Sequence, residues 1–477
     1  MFLSLLLLLP LALGLCAFGV SPHSGRILLV SGGAAQLALT LLVWPGGKDL
    51  TMRGFFAPAP AGMLVLLVIV FIFFFISCYA VFSMRAAKEA DEPIFHGCAL
   101  IFLGLMTMAA LADHPIVLWI AIEATTLASA PLIFLHRSKE ALEATWKYVL
   151  ICSVGIALAL LGFFFLSLSL ERADLALPLS FSTLATVAPL LDPLWLKAAF
   201  LFVLIGMGTK MGLAPMHTWL PDAHSEAPSP ASALLSGALL NCAFLAIYHL
   251  HHLMRLAGMG DFSGSLLIIF GLFSIFVAGI FLLNQPDYKR MLAYSSVENM
   301  GVIALGVGIG GLGVYGAMLH LLHHSLIKSS LFLSSGNMYL GFASKLIAQS
   351  NGMSRLLPKT FVTFFAGFLA LTGLPPFGLF ISELLIMLAA FRERHIVAAV
   401  LLVAGLALVI TGLTRNVLAL SFAPPTRQQP LVAEEMPRIL PPAILLLASV
   451  ALCIWLPPPL REVIIQAVTL LGGVIHG

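Results

Sequence analysis

Charged residues are scarce in this sequence. Only 9% of its 477 residues are charged and 60% are hydrophobic, whereas a soluble domain normally carries about 25% charged residues. Such a chain has too few polar side chains to cover a water-facing surface, so a soluble fold is excluded. The charges that exist are nearly balanced, at +3 net, and lie singly along the chain, which argues against a nucleic-acid-binding patch.

Cysteines are also few, and no two of them lie close together in the sequence. An iron–sulfur cluster needs grouped thiolates, so these cysteines indicate small buried side chains instead. The sequence likewise has no nucleotide-binding loop. No cofactor and no metal are therefore expected on the chain. The six cysteines are Cys16, Cys78, Cys98, Cys152, Cys242 and Cys453.

Long unbroken apolar runs fill most of the chain. A hydrocarbon core of roughly 30 Å takes about 20 apolar residues per helix, whereas membrane strands are short and alternate in polarity. The runs predict an all-α polytopic membrane protein with about fourteen transmembrane helices. The first run lacks a basic start and a small-residue cleavage site, so a retained helix is expected rather than a signal peptide. The predicted spans are 2–20, 27–44, 61–84, 94–112, 115–135, 144–170, 194–214, 230–250, 263–284, 291–309, 313–340, 360–390, 396–421 and 439–456.

Lys and Arg residues are unevenly distributed between the two sides. Fourteen of the 24 lie in loops that follow odd-numbered spans, eight lie on the opposite side, and Lys210 and Lys328 lie inside spans. Cytoplasmic loops carry the excess of positive charge. The odd-numbered loops are therefore predicted to be cytoplasmic, and the N-terminus to face outwards.

A short string occurs twice in related positions. GLAP at 212–215 closes the seventh span, and GLPP at 373–376 interrupts the twelfth. The offset of five helices is odd, so a repeat with this offset is inverted in the membrane. Inverted repeats with broken helices at matching positions are typical of transport sites.

Two charges in the first half are predicted to lie deep in the membrane, where each costs at least ~2.5–3.5 kcal/mol. Lys210 precedes Pro215, which frees the carbonyl of Met211 and so indicates a hydrated cavity. A buried amine there can exchange protons; the alternative is a lysine that extends to the interface. Glu123, in the middle of the fifth span, needs a cation to stay ionised, and Lys210 is its predicted partner. The alternative is a permanently protonated structural glutamate.

In the eleventh span, His320, His324 and Lys328 follow one another at i, i+4 and i+8. This spacing keeps them on one helix face over about 12 Å, which predicts a proton wire. A His-x-x-x-His pair also suits a metal ion, but an ammonium as the third member opposes a cation. His323 lies beside this row.

Two glutamates in the second half complete the set of buried charges. Glu383 follows the double proline by about two turns, and those prolines free the carbonyls of Leu371 and Thr372, which again predicts water. A carboxylate there can bind and release a proton. Glu298 lies two turns inside the membrane from the basic pair at 289–290, so it either joins the pathway or pairs near the interface.

Residues 210–237 read KMGLAPMHTWLPDAHSEAPSPASALLSG. This string resembles a signature of the antiporter-like membrane subunits shared by respiratory complex I, membrane-bound nickel–iron hydrogenases and multisubunit cation/proton antiporters. Further matching strings extend over helices four to thirteen. They are EATWKY at 143–148, DYKRMLAYSSVENMG at 287–301, HLLHHSLIKSSLFL at 320–333 and GLPPFGLFISE at 373–383.

The resemblance implies a division of the chain into inverted five-helix repeats at 94–255 and 262–422, in which helices seven and twelve are broken. Three helices at 1–93 precede them, and a helix with an interfacial tail at 423–477 follows. In the family a glutamate–lysine pair, a His/Lys row and a terminal charged residue form a hydrated axis along the membrane plane. The matching residues here are Glu123, Lys210, His320, His324, Lys328 and Glu383.

One position departs from the family pattern. Many members carry a lysine on the eighth helix where this sequence has Asn241, which can hold water but cannot carry a proton at neutral pH. His249, two turns further on, is a substitute candidate. With Glu298 and His217 these two residues form a second group of candidate pathway residues.

The strings IAIEATTLASA, SGALLNCAFLAIY and AYSSVENMG most resemble hydrogenase-4 component F, found in formate-hydrogenlyase-type assemblies. The resemblance implies proton translocation in a redox-driven complex of a bacterial or archaeal cytoplasmic membrane. The implied partners are membrane subunits of the same family and a peripheral hydrogenase- or dehydrogenase-type arm, which carries the redox chemistry. Two alternatives stay open: a secondary sodium/proton antiporter subunit, and a non-transporting scaffold that anchors a catalytic arm.

Overall fold

The computed structural model describes residues 2–44, 51–52, 54–87, 91–425 and 427–473. Within these ranges the chain forms helices and isolated backbone bridges but no strand. Eleven helices or joined helix pairs are long and apolar enough to cross a membrane. The predicted all-α, many-span architecture is confirmed.

The first half of the bundle contains six long helices and then a series of shorter ones. The predicted seventh span is made of α8 and α9, and the eighth of α10 and α11 joined by a π-helical turn at Leu235–Leu239. The helices are α1 (Phe2–Ala17), α2 (Pro22–Val43), α3 (Pro60–Ala87), α4 (Glu92–Leu111), α5 (Pro115–Ile133), α6 (Lys139–Glu171), α7 (Phe181–Val187), α8 (Pro193–Met211), α9 (Trp219–Glu226), α10 (Ser229–Leu234) and α11 (Leu240–Leu256).

The second half repeats this plan with a broken twelfth span, made of α16 and α17. The predicted interfacial tail forms a final helix, α20, which packs on α3 and α14. The helices are α12 (Gly260–Leu282), α13 (Tyr288–Ile309), α14 (Leu312–Phe342), α15 (Met353–Leu356), α16 (Pro358–Leu371), α17 (Gly378–Arg392), α18 (Ile396–Phe422), α19 (Met436–Ile454) and α20 (Pro458–Leu470).

Glycines, rather than prolines, end the two broken helices. Gly212 and Gly373 have left-handed backbones, with φ of +85° and +65°. In each case the next residue donates its N–H to the carbonyl five positions earlier, at 2.8 Å from Leu213 and 3.2 Å from Leu374. This hydrogen bond closes the last helical turn before the prolines are reached. Each break therefore lies at the first residue of the predicted GLAP or GLPP string.

The helices beside the two breaks pack on long helices of their own half. The helix before the first break, α8, packs against α6 and α11, whereas α17, after the second break, packs against α14 and α18. The pair α10–α11 is wholly buried in its most apolar stretch, and α14 is buried along most of its length. The helices at the junction of the two halves therefore form the centre of the bundle.

Among the described residues, four ion pairs besides Arg290–Asp222 connect residues near the loops that follow odd-numbered spans, so these loops lie on one side of the bundle. Three residues in the loop-charge count, Lys48, Arg53 and Lys88, lie outside the described ranges. The pairs are Arg26–Glu92 at 2.7 Å, Arg137–Asp91 at 2.8 Å, Lys147–Asp222 at 3.0 Å and Lys345–Glu226 at 2.7 Å.

Candidate functional site

Lys210 lies on the last turn of α8 with its side chain 0% exposed, so the alternative of a lysine that reaches the interface is wrong. Its Nζ donates to Tyr148 Oη at 2.7 Å and to Thr126 Oγ1 at 2.8 Å, and it lies 4.5 Å from the centre of the Tyr148 ring. Tyr148 Oη is in turn 2.6 Å from Ser129 Oγ. Two hydroxyls and an aromatic face thus hold the ammonium.

Glu123 makes no direct ion pair with Lys210, so the predicted contact is absent in this conformation. Its Oε1 accepts from Ser153 Oγ at 3.0 Å, and its Oε2 is buried with no hydrogen-bond partner. Thr126, one turn along α5 from Glu123, is the group that Lys210 reaches instead. The first half therefore presents the two charges apart, separated by hydroxyl groups.

Side chains of the protein satisfy two backbone groups at the first break. Trp219 Nε1 donates to Thr209 O at 2.8 Å, and Ser274 Oγ, on α12, accepts the N–H of Ala214 at 2.9 Å. The indole of Trp219 also lies 4.9 Å from the Tyr148 ring. These contacts fix the turn that positions Lys210.

Asn241 occupies the centre of the molecule, between the two halves. Its Nδ2 donates to Ser325 Oγ on α14 at 2.8 Å and to Gly237 O, in the π-helical turn, at 3.0 Å. Its Oδ1 is buried without a partner, as are both ring nitrogens of His324 on α14. Buried polar atoms without partners in an apolar setting are costly, and ordered water is their usual complement. The region between Asn241 and His324 therefore has the polar groups that a hydrated site requires.

A group of hydrogen-bonded polar side chains occupies the second half. Lys328 Nζ donates to Ser295 Oγ at 2.6 Å and also to the carbonyl of Leu292. Asn299, one turn after Ser295, donates to Ser295 O at 2.6 Å, and its Oδ1 lies 3.0 Å from His320 Nε2. These contacts place Asn299 between Lys328 and His320, but Lys328 and Asn299 bind different atoms of Ser295, its hydroxyl and its carbonyl oxygen.

Beyond His320 the network reaches the second broken helix. His320 Nδ1 is 3.0 Å from Ser382 Oγ on α17, and Ser382 is followed directly by Glu383. Glu383 is half-buried and lies over the glycine turn, where its carboxylate would meet any side chain placed on Gly373. Glu383 therefore stands at the end of the row and beside the break.

Glu298 belongs to this network and not to the interface. It is 2% exposed and accepts a hydrogen bond from Asn299 Nδ2. Lys289 instead donates to the carbonyls of Ser225 and Ala227, and Arg290 pairs with Asp222. The alternative in which Glu298 pairs with the basic residues at 289–290 is wrong, because both of those side chains are directed to α9 and its end.

Three histidines of the sequence analysis lie away from the row. His249 stacks on Phe181 of α7, with ring centres 4.4 Å apart, and no described hydrogen bond links it to Asn241. His217 lies in the turn before α9, 6.1 Å from the Tyr294 ring. The third, His323, faces α19, where its Nδ1 is 3.0 Å from Ser449 Oγ. Within the described ranges, no three His, Cys, Asp or Glu side chains converge in a metal-binding group.

His224 is a further candidate, which lies in the string PDAHSEAP at 221–228 and was not among the predicted pathway residues. It is fully buried on α9, both ring nitrogens lack partners, and its ring stacks 4.9 Å from Phe332. Lys328 Nζ lies 5.7 Å from the centre of that same Phe332 ring. The signal in the sequence was a histidine in a short segment between Pro221 and Pro228.

Two acidic residues of α9 form ion pairs at the protein surface. Asp222 pairs with Lys147 at 3.0 Å and with Arg290, and Glu226 pairs with Lys345 at 2.7 Å. His224 thus lies between a charged surface and the interior, where its ring and Lys328 both approach Phe332.

A family model described as NADH:quinone oxidoreductase/Mrp antiporter, TM, matches residues 112–411. The chain belongs to this family. It is 37% identical to a hydrogenase-4 component F homolog of Methylacidiphilum infernorum (isolate V4) over 334 residues, which make up 69% of this chain and 70% of the relative. The resemblance to antiporter-like subunits inferred from the motifs is confirmed.

Solved structures of membrane complexes contain chains with the same fold. A chain of the archaeal membrane-bound sulfane sulfur reductase superposes with a TM-score of 0.88 at 21% identity, covering 98% of this chain and 97% of that one. A chain of respiratory complex I from Thermus thermophilus gives 0.81 at 22% identity, covering 97% and 99%. The antiporter-like fold, and with it a multi-span membrane protein, is established.

Proposed function

We propose that this chain is a proton-translocating membrane subunit of a redox-driven complex of the hydrogenase-4/formate-hydrogenlyase or complex I type. The observation that carries the proposal is the row of buried or half-buried polar side chains within five of the spans, from Glu123 through Lys210 and Asn241 to Lys328 and Glu383. Placing a charged group at that depth in a membrane costs free energy, so such groups are usually found where they have a function. A scaffold that only anchors a catalytic arm does not need such a row.

The row has two halves with complementary properties. In the first, hydroxyl groups hold Lys210, and its side chain can move towards or away from Glu123. Such a movement changes the protonation equilibrium of both groups. In the second, hydrogen bonds join Asn299 to Ser382 through His320, and Lys328 binds the nearby hydroxyl of Ser295. A proton that arrives from the surface through His224 reaches Lys328, and the unpartnered atoms of His324 and Asn241 mark where water continues the path.

The proposed partners are further membrane subunits of the same family and a peripheral hydrogenase- or dehydrogenase-type arm. The proposed membrane is the bacterial or archaeal cytoplasmic membrane, with the N-terminus outside, since the loops after odd-numbered spans carry most of the Lys and Arg. Labelling of single-cysteine variants Lys139→Cys and Arg394→Cys from the two sides tests this orientation. Labelling of position 139 from outside would reverse it.

Reconstitution of the purified complex in proteoliposomes tests the function against its alternatives. With the donor and acceptor of the redox arm present, we expect proton uptake that stops when electron transfer is inhibited. Sodium-driven proton exchange without electron transfer would instead favour the antiporter alternative. Electron transfer with no proton movement in intact vesicles would favour the scaffold alternative.

Substitutions of Asn241 test whether water continues the proton path at the centre of the row. Asn241→Leu places an apolar side chain against Ser325, and we expect proton uptake to fall about five- to tenfold, which corresponds to about 1–1.4 kcal/mol in the barrier. Asn241→Ser keeps a hydrogen-bonding group and leaves room for water, so its rate should stay closer to the wild-type rate. Equal rates in the two variants, both assembled on a native gel, would contradict a hydrated passage at this position.

A further inference from the structure

A cavity of about 530 Å³ lies between α2 and α3, remote from the buried row. Its lining residues follow helical spacing on both helices, so one face of each helix forms a wall. It opens on the side of the bundle where the ion pairs join the odd-numbered loops. The lining residues are His23, Arg26, Ile27, Val30, Ser31, Cys78, Val81, Phe82 and Arg85.

The two walls change polarity in the same direction. On α2 the basic residues His23 and Arg26 come first and the apolar Val30 lies deeper. On α3, which runs the opposite way, the basic Arg85 is in the last turn and Phe82 precedes it by one turn. The cavity therefore has a cationic mouth and an apolar floor, over a depth of about two helical turns or 11 Å.

The charges at the mouth do not cancel. Arg26 is committed to Glu92, with both oxygens of that carboxylate accepting at 2.7 Å. His96, the other titratable group beside this pair, lies 4.0 Å from Glu92. Arg85 is exposed and has no described hydrogen bond or ion pair. Because Arg26 pairs with Glu92, Arg85 is the positive charge at the mouth that has no partner among the described residues.

The apolar floor is open to the membrane. Ile27 is 57% exposed and Phe82 is 39% exposed, although both lie within helices that cross the bilayer. A second, wholly apolar cavity of about 510 Å³ lies between α2, α3, α14 and α19. That cavity has no basic residue in its lining, so it offers nothing to select a headgroup. Only the first of these two cavities combines the two chemistries.

We propose that the cavity between α2 and α3 binds an anionic phospholipid of the leaflet on that side. The headgroup phosphate contacts Arg85 and the edge of Arg26, and one acyl chain lies along Val30 and Phe82. Basic pockets between membrane helices on the cytoplasmic side bind anionic headgroups in this way, and each basic residue contributes about a fivefold preference. The site is independent of the proton row.

Native mass spectrometry of the purified complex, delipidated and then supplied with defined lipids, tests the proposal. The probes are dioleoyl phosphatidylglycerol and dioleoyl phosphatidylcholine, which differ in headgroup charge but not in chains. We expect the wild type to retain one more phosphatidylglycerol than the Arg85→Gln variant, whose preference should fall about fivefold. Arg85→Lys should restore most of the preference, because it restores the charge.

Two further variants separate the site from general electrostatics. Val30→Trp fills the floor without changing the charge and should release the bound lipid. Arg415→Gln removes an equally exposed arginine from α18, which lies outside this cavity, and should change nothing. Inorganic phosphate should not displace the lipid, because it has no chain to occupy the floor.

Three outcomes would overturn the proposal. The first is equal retention of the two lipids by the wild type. The second is an equal loss of preference in Arg85→Gln and Arg415→Gln, which would indicate a diffuse surface effect. The third is the absence of any retained lipid in the intact complex together with protection of Cys78 from a lipophilic maleimide, which would show that another subunit covers the cavity.

Discussion

Lys210→Ala is expected to abolish proton translocation, by about 100-fold or more, while the complex stays assembled. The ammonium is the only charge held by Tyr148 and Thr126, and alanine leaves those hydroxyls with no group that can exchange a proton. Lys210→Arg should fail as well, because arginine stays protonated. The measurement is redox-driven proton uptake in proteoliposomes, with assembly checked on a native gel.

The matched control for this result is Lys197→Ala, in the same helix. Lys197 lies near the opposite end of α8, 5.4 Å from the ring of Phe262, and is not part of the row. Its variant should pump at the wild-type rate. An assembled Lys210→Ala complex that pumps as fast as Lys197→Ala would remove Lys210 from the mechanism.

Glu383→Gln is expected to cut proton pumping sharply, again by about 100-fold, with electron transfer either slowed or uncoupled. Glutamine keeps the shape and hydrogen-bonding capacity of the side chain beside Gly373 but cannot titrate. Proton uptake and electron transfer are measured together in proteoliposomes that contain the whole complex. Glu393→Gln, at the exposed end of the same helix, is the control.

A structural role for Glu383 makes the opposite prediction. A permanently protonated carboxyl group donates and accepts hydrogen bonds much as an amide does, so glutamine would replace it without loss. Wild-type pumping in an assembled Glu383→Gln complex would exclude the terminal role and favour the scaffold alternative for this part of the chain.

The sequence predicted the helices and the buried charges well, because both depend on local patterns. Apolar runs set the spans, and Gly-Leu-Ala-Pro and Gly-Leu-Pro-Pro located the two breaks. The i, i+4, i+8 row of α14 needed only helix geometry. By contrast, the π-helical turn before Asn241 was not predicted, since it depends on the close approach of Gly237 to α14.

The contacts of the charges could not be predicted, because they are formed between residues far apart in the sequence. Lys210 was expected to bind Glu123, yet it binds Tyr148, 62 residues away, and Thr126. Asn299 and Ser382 join the row on either side of His320, and neither residue type marks a proton path by itself. Only the packing of α13 and α17 on α14 reveals their role.

The number of protons moved per electron pair is the most direct measure of the central claim that protons pass along this buried row. It is determined in proteoliposomes that contain the complex with both Lys210→Met and Lys328→Met, against the Lys197→Met complex as control. Methionine preserves length and removes the proton-carrying group at two points of the row. We predict a ratio below that of the control at unchanged assembly. A ratio equal to the control would contradict the claim, because protons would then cross the membrane without using this row.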